Sequence, residues 1–97
     1  MGRIPEWVVE EVRARADIVD IIGGYVQLRR SGGSWTARCP FHNEKTPSFH
    51  VNPPRQMYYC FGCGRGGDVF RFVMERENLP FPDALELLVS RVCVVIP

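Results

Sequence analysis

Cys39-Pro40-Phe41-His42 and Cys60-Phe61-Gly62-Cys63 each set two metal-binding side chains two residues apart, and seventeen residues separate the pairs. A chain that brings both knuckles to one point has few folds open to it. The spacing closes a tetrahedral Cys3His zinc site from Cys39, His42, Cys60 and Cys63. Soft thiolates with a borderline imidazole suit zinc better than calcium or magnesium. Four protein ligands leave no open position for water, so the expectation is one structural Zn2+ and no catalytic residue. Iron in a rubredoxin-like site is the metal alternative, but it asks for a fourth cysteine. Unmetallated buried cysteines are the other alternative, and they leave two knuckles to chance. Gly62 and Gly64 let the backbone turn and aim amides at the sulfurs.

With 97 residues, one domain is expected, and a small one for its core alone to hold together. Bound zinc supplies what such a core lacks, because structural zinc binding is coupled to folding. An apolar content of 45% argues against disorder. No apolar run reaches membrane-spanning length and no leader pattern is visible, so a soluble cytoplasmic protein is expected. Paired knuckles with a histidine also favour metal in a reducing compartment over a secreted disulfide framework.

The net charge of +1 conceals an uneven distribution. Residues 1–24 and 68–97 each sum to −2, whereas 25–67 carry Arg29, Arg30, Arg38, Lys45, Arg55 and Arg65 against Glu44 alone, a sum of +5. A metal held by three thiolates lowers that to about +4. The zinc-bearing segment is basic between acidic flanks, which points to a polyanion partner.

Periodicity divides the chain in the same way. Residues 1–24 read as two helices. The first follows Pro5 with Trp7, Val8, Glu11, Val12 and Arg15 at helical spacing; the second is capped by Asp17, with Asp20 in the capping-box position, and ended by Gly23-Gly24. Residues 25–67 read as an antiparallel sheet with strands over 25–30, 34–39, 48–52 and 56–59, and 64–67 as a glycine-rich link. Residues 68–92 read as a helix capped by Asp68 and running to about Glu77, then a helix from Asp83 to Val92. Residues 93–97 form a tail, in which Cys93 reads as a small apolar residue. The fold class is α+β: a zinc ribbon on a small antiparallel sheet flanked by short helices.

On those strands, alternation puts Arg29, Arg38, His50 and Tyr58 on the outward face, with Arg30, Lys45 and Arg55 at adjoining turns. Arginine and lysine contact phosphates, while tyrosine and histidine stack on unpaired bases, so single-stranded nucleic acid is the expected partner. A solvated face whose arginines only maintain solubility is the competing reading. Phe41, Phe49, Tyr59 and Phe61 are assigned to packing around the metal.

The run Cys39-Pro40-Phe41-His42-Asn43-Glu44-Lys45-Thr46-Pro47-Ser48-Phe49, followed by Tyr59-Cys60-Phe61-Gly62-Cys63-Gly64-Arg65-Gly66-Gly67-Asp68, resembles the CHC2 zinc-binding domain of bacterial replicative DNA primases. The segment from Arg15 to Leu28 looks like that family's lead-in, and Phe81-Pro82-Asp83-Ala84-Leu85-Glu86-Leu87-Leu88 like its closing helix. The resemblance implies a zinc ribbon that contacts single-stranded DNA template and helps choose where an RNA primer starts. It implies a TOPRIM-type polymerase domain as partner, and the replicative helicase as partner of the full-length protein. Carried over, Cys39, His42, Cys60 and Cys63 are the ligands and Lys45 is a template contact. The acidic cluster of the polymerase domain has no counterpart here, so these residues alone are not expected to make RNA. The apolar tail departs from the family pattern, which leaves a truncation point or a phage or mobile-element primase open. A protein-interaction ribbon is the rival from another class.

Overall fold

A computed structural model describes residues 5–41 and 47–92. The order of elements is α1 (Glu6–Arg15), α2 (Ile18–Gly23), β1 (Arg29–Ser31), β2 (Ser34–Ala37), β3 (Phe49–Asn52), β4 (Met57–Cys60), β5 (Gly66–Gly67), α3 (Val69–Glu77) and α4 (Phe81–Val92). The strands form one antiparallel sheet in sequence order, β1 to β5. Among the described residues no helix is long and apolar enough to cross a membrane.

Helix α1 turns Val8 and Val12, one helical turn apart, fully into the core. Asp17 caps α2 by accepting from the Val19 amide at 3.0 Å, and the Gln56 side chain accepts from the Ile18 amide at 2.8 Å. Gln56 sits in the turn before β4 with φ +54°, held also by its own Nε2–H bond to the Pro53 carbonyl at 2.8 Å. It is therefore part of a turn rather than the first residue of a strand. Asp68 caps α3 through the Arg71 amide at 3.0 Å and accepts from Arg13 of α1 at 3.1 Å. Asn78, with φ +58°, ends that helix in the left-handed conformation. Helix α4 starts two residues before the position expected from Asp83, because Pro82 fits a first helical turn.

Strand β1 is shorter than periodicity suggests. The amides of Tyr25 and Val26 bond back to the Ile22 carbonyl at 2.9 and 3.0 Å, so that stretch extends the turn after α2 instead of joining the sheet. At the other edge, Gly66 and Gly67 pair with Tyr59 and Tyr58 as a fifth strand where a plain link was expected. A Cβ on Gly66 would lie 2.8 Å from the Tyr59 ring and 3.0 Å from the Tyr58 carbonyl, so only glycine pairs this closely.

Directly opposed residues of an antiparallel sheet share a face, so the register fixes both faces. Ala37, Phe49 and Cys60 form one inward rung; Arg30, Trp35, Val51, Tyr58 and Gly67 form the next inward rung. Phe72 of α3 joins this face to the helices. Fully buried, it meets the rings of Tyr25, Phe41, Tyr58 and Phe49 with centroids 5.4, 5.5, 5.5 and 6.2 Å away. Phe72→Ala is expected to cost about 3–5 kcal/mol in denaturant unfolding of the zinc-loaded protein. Trp7→Ala, on a half-exposed ring of α1, is expected to stay within about 0.5 kcal/mol.

Candidate metal centre and template face

Cys39 lies just beyond the end of β2, Cys60 closes β4, and Cys63 follows in the turn after it. Their three Sγ atoms lie within 4.8 Å of one another, and those of Cys39 and Cys63 are 3.8 Å apart. Zn–S bonds of about 2.3 Å at tetrahedral angles place two sulfurs about 3.8 Å apart, so the Cys39–Cys63 pair has the spacing of a zinc site and Cys60 lies close enough to join it. His42 and Lys45 lie outside the described residues, as does Cys93.

The backbone around the sulfurs is built for them. Gly64 takes φ +80° and donates to the Cys60 carbonyl at 2.8 Å, closing the knuckle, while the Cys60 amide donates to the Arg65 carbonyl at 2.8 Å. The Phe41 amide points at Cys39 Sγ, 3.4 Å away. Burial raises the Cys60 thiol, but the amides of Cys63 and Gly62, the Cys39 thiol and the Ser48 hydroxyl outweigh it and bring it down to about 7. For Cys39 burial wins over the Phe41 amide, and the thiol is pushed up to about 12. A divalent cation among the sulfurs takes the place of the protons they share.

The outward face carries a row of Arg29, Thr36, His50, Tyr59 and Gly66, one residue from each strand. Tyr59 is 44% exposed and Phe61 72%, and Met57 adds apolar surface. The Phe61 ring meets His50 edge-on at 5.0 Å and Tyr59 at 4.9 Å. Beside them lies an open groove of about 630 Å³ lined by His50, Asn52, Arg55, Met57, Tyr59 and Phe61, among others. A second groove, of about 570 Å³, runs past Gln27, Arg29, Thr36, Arg38 and Pro40 next to Cys39.

This placement corrects the aromatic assignment made from alternation. Tyr58 is 2% exposed and donates its hydroxyl to Glu75 at 3.3 Å, so its ring faces the core and not the outside. Tyr59 and Phe61, assigned to the core, are the exposed pair; Phe49 is fully buried and Phe41 packs against the core as expected. The signal was present in the sequence. Cys60 must point inward to reach the metal, and a residue two positions earlier in a strand points the same way. Arg29, Arg38 and Arg55 are exposed and His50 half-exposed, while Arg30 sits at the inward rim with its guanidinium 5.6 Å from the Trp35 ring.

Zinc competition titrations over about pH 6–8 test the thiol chemistry. Because Cys39 must lose its proton throughout this range and Cys60 also below about pH 7, affinity should rise at least about tenfold per pH unit and fall as the solution is acidified. An affinity independent of pH contradicts this reading.

Comparison with known proteins gives this geometry its family. The family model described as CHC2 zinc finger matches residues 4–97. The DNA primase of Listeria monocytogenes is 56% identical over 86 residues, covering 89% of this chain and 14% of its own length. That of Halalkalibacterium halodurans is 50% identical over 95 residues, covering 98% of this chain and 16% of its own. The crystal structure of the Aquifex aeolicus primase zinc-binding and RNA polymerase domains superposes with a TM-score of 0.87 at 39% identity, over 93% of this chain and 22% of that one. The chain thus spans about a seventh of the length of these curated relatives. Its sulfur cluster, its five-stranded sheet and these matches agree: the chain belongs to the CHC2 zinc-finger family and is a zinc-binding domain of the DNA primase type.

Proposed function

We propose that this domain holds single-stranded DNA template on the outward face of its sheet and helps select the site at which an RNA primer starts. The observation that carries the reading is the cross-strand row of Arg29, Thr36, His50 and Tyr59, extended by Phe61. Five strands at about 4.8 Å spacing give a platform about 19 Å wide. Tyr59 and Phe61 offer rings for bases to stack on, and Arg29, Arg38 and Arg55, with Lys45 by sequence, offer positive charge to the phosphates. Phe61 is exposed together with its neighbours Tyr59 and Met57, and a contiguous apolar surface of this kind supports an interaction site.

Zinc is held by Cys39, Cys60 and Cys63, with His42 proposed as the fourth ligand. Bound there it braces the sheet and closes both knuckles, and the site has no part in bond-making. Primer synthesis belongs to a polymerase domain joined to this one, as the zinc-binding and RNA polymerase domains of the Aquifex primase are named together. The full-length protein would then act in the cytoplasm with the replicative helicase.

Fluorescence anisotropy with labelled single-stranded DNA tests the template face. Tyr59→Ala and Phe61→Ala are each expected to weaken binding by about 1–3 kcal/mol. Arg29→Ala and Arg38→Ala are each expected to lower the salt-dependence slope by about one. Tyr58→Phe should leave binding unchanged, since its ring is buried. Binding that survives loss of both exposed rings contradicts the proposal. If the rings prove necessary only for binding the polymerase domain, the face is a protein-docking surface instead.

A further inference from the structure

Arg65 counts toward the basic middle of the sequence, yet the fold gives it work away from any template. Its carbonyl accepts the Cys60 amide at 2.8 Å, which ties it to the second knuckle. Its guanidinium lies 5.2 Å from the centre of the Phe41 ring, which belongs to the first knuckle and whose own amide points at Cys39 Sγ. The guanidinium also approaches Glu75 of α3 at 3.7 Å.

Glu75 is itself held. Its two carboxylate oxygens take the Tyr58 hydroxyl at 3.3 Å and the Arg71 Nε at 3.1 Å, and its side chain is three-quarters buried. An arginine face on an aromatic ring is attractive even at a half-exposed site such as this one, where the Arg65 side chain is 48% exposed. A residue that touches both knuckles and lies against a held carboxylate opposes their separation, which would open a metal site built between them.

We propose that Arg65 is a latch across the two knuckles and that Glu75 positions it, so that helix α3 sets how long zinc is retained. Arg65 acts through Phe41 and the knuckle backbone and not as a ligand. The inference is independent of the template reading.

The test is zinc release from the loaded protein into excess chromophoric chelator. Arg65→Ala and Glu75→Gln are each expected to speed release roughly 3-fold to 10-fold, while Arg65→Lys, which keeps the charge but not the planar face, falls between them and the parent. In a Phe41→Leu background the Arg65→Ala effect should largely vanish, because the ring it acts on is gone. Arg13→Ala supplies the control. It removes an ion pair of similar exposure with Asp68 and a guanidinium 5.0 Å from the Phe70 ring, and should leave release unchanged. Unaltered release in Arg65→Ala overturns the latch. So does equal acceleration in Arg13→Ala, which would reduce the effect to general stability, or a full Arg65→Ala effect without the Phe41 ring.

Discussion

The whole arrangement depends on three sulfurs from the ends of two strands having to meet. Cys60 closes β4 and must turn inward to join Cys39 and Cys63. In a strand that single requirement sets the direction of every other side chain. It sends Tyr58 inward with Cys60, and through the register it sends Val51 and Phe49 of β3 inward too. What remains outward is the row through Arg29, Thr36, His50 and Tyr59. The metal centre and the proposed template face are thus two consequences of one alternation.

The helices make that alternation stable. Phe72 inserts among the aromatic rings of the inward face, and one turn on, along the same side of α3, Glu75 accepts from Tyr58 and lies against Arg65. Asp68 begins the helix with its cap and draws in α1 through Arg13. A domain this small buries limited apolar area. Cross-linking two knuckles through a metal adds folding free energy where the core cannot, and α3 couples that centre to the rest of the core.

Much of this was legible in the sequence. The knuckle spacing pointed to the sulfur cluster, helical spacing put Val8 and Val12 on one helix, where both are buried, and Asp17 and Asp68 announced their caps. Three features were not read correctly, each for a physical reason. Polarity does not separate Tyr58 from Tyr59 and so leaves the phase of β4 open; the inward pull of Cys60 fixes it. The stretch after α2 alternates like a strand, but its amides are already engaged by the Ile22 carbonyl. Gly66 and Gly67 carry no side-chain pattern at all, and their pairing rests on the close approach that a missing Cβ permits. Arg65 shows the opposite limit: composition counts its charge, and only the fold shows that it faces Phe41 and Glu75.

Amide hydrogen exchange before and after zinc removal tests most directly whether the metal sets the sheet. Chelation should strip protection from Thr36, His50 and Tyr59, at the centre of β2, β3 and β4, and restoring zinc should return it. Protection in those strands that is unchanged by removal of the metal would contradict the account, because the sheet would then hold its phase without the sulfurs being joined.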